Sequence, residues 1–121
     1  MPREMPSELL MTHPDCASIV EIRTTFGTRA DAEACAARLV GQRLAACVQV
    51  EGPVQSTYRW QAGVEMAEEF RCTCKTTPER AQACITAVIR DHAYQTPEVI
   101  RTEVTASAAY AEWVRASVAV G

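Results

Sequence analysis

The stretch LAACVQVEGPVQSTYRW, residues 44–60, constrains the fold more than any other part of the chain. It has no helical apolar period over its seventeen residues, and β-branched and aromatic residues fill its second half. Val48, Val50, Val54, Ser56, Tyr58 and Trp60 share one parity, while Cys47, Gln49, Glu51 and Gln55 share the other. Such alternation predicts a strand with one buried and one wetter face. Gly52-Pro53 interrupts it. Proline cannot donate to a ladder and glycine weakens a strand interior, so a bulge or bend is expected there. At roughly 3.3 Å per residue the stretch would span about 55 Å, too long for one small sheet. A bent strand follows, with its far half, residues 54–60, projecting beyond its own domain and in need of a partner.

The flanking sequence supplies the rest of a sheet. Over residues 18–26, Val20, Ile22, Thr24 and Phe26 alternate with Glu21, Arg23 and Thr25, which predicts a strand closed by a turn at Gly27. Thr28 suits an N-cap, with Asp31 three residues on, for a helix over 29–42 whose stripe is Ala32, Cys35, Ala36, Leu39 and Val40. After the long strand, Gln61-Ala62-Gly63 predicts a short hairpin loop with Gly63 in the left-handed position. The return strand, 64–75, places Val64, Met66, Phe70, Cys72 and Cys74 on one face. Thr77-Pro78 then opens a second helix with the stripe Ala81, Cys84, Ile85, Val88 and Ile89.

The two helices repeat one pattern at an offset of 49 residues: Thr28/Thr77, Ala32/Ala81, Cys35/Cys84, Leu39/Val88. Each lies between strands, the last over 98–104. Two β-α-β halves joined by a hairpin predict an α+β, ferredoxin-like split βαβ sandwich. Both helices would cover one face of a four-stranded antiparallel sheet. A final short helix capped by Ser107, with Tyr110, Trp113 and Val114 on one side, would lie over a sheet edge or a neighbour's strand. Residues 1–17 are expected to form an N-terminal arm and 18–121 the domain. The arm carries Met5, Met11 and His13, with Cys16 at its end, all soft or borderline metal ligands.

Composition narrows the function classes. The chain has 121 residues, enough for one domain with a real core, and a net charge of −3 without a basic stripe, which argues against nucleic acid. No apolar run approaches a membrane span, and the N-terminal residues lack the pattern of a signal peptide, so a cytoplasmic protein is expected. The six cysteines are expected as free thiols, because Cys35 and Cys84 fall on apolar helix stripes. Cys72-Thr73-Cys74 has the look of a C-x-C metal motif, but period 2 puts both sulfurs on the face of Phe70, which favours core packing.

LAACVQ, STYRW, Glu69 with Lys75-Thr76, and HAYQTPE, in that order, resemble the CutA family of divalent-cation tolerance proteins. The resemblance covers roughly residues 18–118. It implies a homotrimer of ferredoxin-like subunits, similar in shape to the PII signalling proteins, and an association with copper or another divalent cation. Three positions depart from the family pattern: Gln49 for Asn, Ala93 for Pro, and Gln95 for an acidic residue.

Cys47 is the foremost metal-ligand candidate, since a thiolate on the wetter strand face suits soft metals, and His92 could add an imidazole. Two ligands fall short of a closed site, so a second subunit, the arm or solvent would complete it. Tyr58, Trp60, Glu69, Lys75, Tyr94, Glu98 and Trp113 are the candidates for a ligand cleft or a subunit interface. With two histidines, no defensible serine–histidine–acid order and no phosphate-cradling loop, an enzyme is not expected. The two functional readings are a metal-associated tolerance protein and a trimeric PII-like module for a small anion.

Overall fold

The computed structural model describes residues 15–120. Its elements run β1 (Cys16–Phe26), α1 (Arg29–Gly41), β2 (Cys47–Trp60), β3 (Gly63–Thr76), α2 (Pro78–Asp91), β4 (Ile100–Ser107) and α3 (Ala108–Val118). The four strands form one sheet in the order β2-β3-β1-β4, and all three pairings are antiparallel. This is the expected split βαβ architecture. Strand β1 starts earlier than expected: Cys16 and Ala17 pair with Ser107 and Ala106, so they belong to the sheet. Met5, Met11 and His13 lie outside the described residues.

Alternation assigns the two faces. Val20, Ile22 and Phe26 of β1 and Cys72 and Cys74 of β3 pack with Ala32, Cys35 and Leu39 of α1 and Ala81, Cys84 and Val88 of α2. Both helices therefore cover one face, as the repeat predicts. Val40 and Ile89, the matching ends of the two predicted stripes, are exposed instead. Their neighbours Leu39 and Val88 are fully buried in the same turns, so each buried stripe is one residue narrower than predicted. Thr28 Oγ1 accepts from the Asp31 amide at 3.1 Å and Thr77 Oγ1 from the Arg80 amide at 3.2 Å, so each helix has its predicted cap.

Helix α3 lies on the opposite face, where Ala111, Val114 and Val118 pack against Ile19 and Ala46. Of the predicted side, Val114 makes this contact, while Tyr110 and Trp113 are exposed in the single chain. No helix among the described residues is long and apolar enough to cross a membrane.

The long strand bends where expected. Pairing runs regularly to Glu51↔Arg71 and resumes at Val54↔Glu69, leaving one extra residue in β2 at the cis Gly52-Pro53 bond. That bulge reverses the faces. Val48 and Val50 share the helix-covered face with Cys74 and Cys72. Val54, Ser56 and Tyr58 pair with Glu69, Ala67 and Glu65 and so face the open side. A parity continuous in the sequence is thus split between two faces.

Beyond Phe26↔Phe70 strand β1 offers no further pairing, so among the described residues β3 from Gly63 to Glu69 pairs only with β2. These seven residues project by about 23 Å at 3.3 Å each. The hairpin turns on two residues, and Gln61 takes the positive φ of 53°, while Gly63 opens β3. The turn is where the sequence places it, but its left-handed residue is Gln61, two positions before the expected Gly63.

Candidate functional site

The open face is divided. Helix α3 fills the end near Ile19, and a cleft of about 730 Å³ occupies the other end. Its walls are the root of the projecting hairpin (Ser56, Tyr58, Trp60, Glu69), Thr25 of β1, and the connection into β4 (Tyr94, Gln95, Glu98).

That connection crosses the end of β1. His92 follows α2 on the helix-covered side, where its ring stacks on Phe26 with centroids 4.2 Å apart and Nε2 lies 3.0 Å from Thr24 Oγ1. The Tyr94 amide donates to Nδ1 at 3.4 Å, which leaves the proton on Nε2. Burial holds the His92 imidazole below its ordinary range, opposed by a hydrogen bond to the Thr25 backbone and by the charges of Glu69 and Asp31. Two residues on, Tyr94 has reached the open side: its hydroxyl donates to Glu69 Oε2 at 3.1 Å. Burial first, then this bond and the carboxylate charge, push the Tyr94 hydroxyl up to about 12, so it remains a donor. Gly27 makes room for it, since a Cβ there would lie 3.2 Å from Tyr94 Oη.

The bulge behind the cleft is clamped. Arg29 donates to the Gly52 carbonyl at 2.9 Å and sits over the Phe70 ring at 5.0 Å, while Arg71 pairs with Glu51 at 3.3 Å. The far half of β2 is therefore fixed at the angle that turns Tyr58 and Trp60 into the cleft.

Five of the seven predicted ligand-site residues, Tyr58, Trp60, Glu69, Tyr94 and Glu98, line this one cleft. Lys75 and Trp113 do not. Lys75 lies six residues along β3 from Glu69, about 20 Å away, paired with Glu21 at 3.4 Å and under Tyr110 at 5.9 Å. Trp113 packs beside Tyr110 on α3, with centroids 5.6 Å apart. Thr25, Ser56, Thr57 and Thr96 also line the cleft and were missed. Ser56 stands within STYRW, but only the post-bulge register puts Thr25 on the same face. Gln95, flagged as a departure from the family pattern, is a cleft residue, whereas Gln49 pairs with Thr73 away from it.

Cys47 and His92 are not brought together. Cys47 pairs with Lys75, which pairs with Glu21, on the open face; His92 sits against Thr24 on the helix-covered face. The sheet separates them, so one protomer cannot use both on one ion. Among the described residues no three histidine, cysteine or acidic side chains are grouped to hold a metal. Cys35, Cys72, Cys74 and Cys84 are fully buried free thiols. Burial raises Cys35 to about 11 and Cys72 to about 12, and a hydrogen bond with Cys84 plus burial push Cys74 far up. Cys35, Cys72 and Cys74 therefore stay protonated, while the same bond from Cys74 lowers Cys84, and all four serve as packing.

Residues 20–117 match the family model described as CutA1 divalent ion tolerance protein. The divalent-cation tolerance protein CutA of Yersinia pestis (strain Pestoides F) is 32% identical over 111 residues, covering 88% of this chain and 93% of that protein. The crystal structure of CutA from Xylella fastidiosa superposes with a TM-score of 0.81 at 32% identity, covering 84% of this chain and 98% of that one. CutA from Synechococcus elongatus PCC7942, solved in complex with a Bis-Tris molecule, gives 0.77 at 33% identity, covering 85% and 96%. With the family model matched over most of the chain and the fold shared with CutA structures, this chain belongs to the CutA1 family of divalent ion tolerance proteins.

Proposed function

We propose that this chain contributes to divalent-cation tolerance as a homotrimeric ligand-binding module whose working site is the cleft at the root of the projecting hairpin. The observation that carries it is the convergence of Tyr58, Trp60, Glu69, Tyr94 and Glu98 on one concave surface of small-molecule size. The Bis-Tris complex of the Synechococcus relative supports a small organic ligand for this fold. The trimer rests on the unpaired hairpin and on Val64 and Met66, exposed by 64% and 66% on the side away from the cleft. Free thiols support a reducing compartment, the cytoplasm. A native mass spectrum of protein purified without chelator tests this: three chains carrying a small organic adduct are expected, with the adduct lost in Trp60→Ala. A bare single chain would refute both parts.

A second reading, binding of copper or another divalent cation, rests on Cys47, which is partly exposed on the open face where a neighbouring subunit would add ligands. Cys47→Ser removes the thiolate that binds soft metal. Competition with a Cu(I) chelator should then show weaker binding than in the unmodified chain, and equal affinity would remove Cys47 from any site.

A further inference from the structure

We propose that the cleft selects a small organic ammonium cation, a quaternary or protonated amine on a short body, rather than an anion or a bare metal ion. The inference rests on the cleft being a ligand site and names the class of ligand.

Charge comes first. Among the described residues the lining includes two carboxylates, Glu69 and Glu98, and no lysine, arginine or histidine. Glu69 is half-buried, and its partner is the neutral Tyr94 hydroxyl. Among the described residues no hydrogen bond or ion pair engages Glu98. Arg71, the nearest cation along the same face of β3, is drawn to Glu51 at 3.3 Å. A cleft with two uncompensated negative charges repels an anion and pays for it twice, through Coulomb repulsion and through desolvation.

The aromatic residues then separate organic cations from metals. Tyr58, Trp60 and Tyr94 are 40%, 52% and 37% exposed, so their rings present free surface beside the two carboxylates. Ring faces attract ammonium groups within about 6 Å, tryptophan most strongly. A hard divalent ion instead takes about six oxygen ligands, and two carboxylates without a third acidic or imidazole partner do not supply that shell. The neutral donors and acceptors of Thr25, Ser56 and Gln95 remain for a hydroxyl on the body of the ligand.

Calorimetric titration of the full-length protein in phosphate buffer, free of amines, tests the class with three probes. These are choline, its uncharged isostere 3,3-dimethylbutan-1-ol, and citrate. Choline is expected to bind roughly tenfold more tightly than the isostere, with the advantage shrinking as salt is added. The Glu69→Gln/Glu98→Gln double variant, its fold checked by circular dichroism, should lose most of choline's advantage over the isostere and its salt dependence, keeping only the share that the ring faces supply. Glu69→Gln keeps an acceptor for Tyr94, so loss of the fold is not built into the test. Equal binding of choline and isostere by the unmodified chain, or tighter binding of citrate, would overturn the cationic class and leave the cleft as a ligand site. Absence of heat from all three at tens of millimolar would overturn the ligand site as well.

Discussion

Of the described glycines, Gly52 leaves the least room for a side chain. Its φ is 151°, and a Cβ built there would lie 2.7 Å from Phe70 Cδ2 and 3.0 Å from the Glu69 carbonyl oxygen. Any L side chain must push β3 away just where Glu69 enters the cleft. Gly52→Ala should cost about 2 kcal/mol or more, read by urea denaturation. Loss of less than 0.5 kcal/mol, roughly the effect of an ordinary surface change, would contradict the contact. His92 gives a second prediction with a definite sign. Its folded pKa lies below the ordinary 6.5, so the folded state resists a proton that the unfolded chain accepts. Stability should be full above pH 6.5 and fall as pH drops from there through the folded value. His92→Phe keeps a ring for Phe26 and should flatten that slope. An NMR titration midpoint above 6.5, or stability rising on acidification, would reverse the assignment. The sequence showed His92 as a potential metal ligand; its contacts with Phe26 and Thr24, 66 and 68 positions away, had no local signal.

At the scale of elements, what periodicity determines was legible and what register determines was not. Helix caps, the repeat of two βαβ halves and the bend at Gly52-Pro53 are local chemistry, and the structure has them where the sequence pointed. The face reversal after the bulge is not local. Alternation through Val48, Val50, Val54 and Tyr58 reads as one buried row, yet one unpaired residue moves the last two to the open side. That reversal assembles the cleft, which is why its aromatic residues were recognised and their shared surface was not. The thiols test the same face assignment. Cys35, Cys72, Cys74 and Cys84 lie between sheet and helices, while Cys16 and Cys47 retain exposure. A chromogenic disulfide reagent should titrate two thiols quickly in native buffer and the other four only in denaturant. Six rapid thiols would mean that α1 and α2 do not cover that face.

For the whole molecule, the hairpin is the unresolved demand on the fold. Beyond the end of β1 its two strands hold each other and little else, and a lone two-stranded ribbon is marginal in water. Val64 and Met66 lie on the side of the ribbon opposite Tyr58, so the hairpin presents apolar surface in two directions. Among the described residues nothing covers them, and a closed ring of copies would cover every hairpin equivalently. Charge placed there separates assembly from folding. At 64% and 66% exposure, Val64 and Met66 contribute almost nothing to the protomer's own core, so Val64→Asp/Met66→Asp should leave a single chain folded. In an assembly the same carboxylates would be buried without partners, at a cost of roughly 2–5 kcal/mol for each interface. A trimer carries three such interfaces, so the penalty accumulates. Light scattering at micromolar concentration should give three times the chain mass for the unmodified protein and a lower mass for the variant, with similar far-ultraviolet circular dichroism. The melting temperature of the unmodified protein should also rise with its concentration, and that of the variant should not. A single-chain mass for the unmodified protein would end the trimer reading, and an undisturbed trimer in the variant would take the hairpin out of the interface.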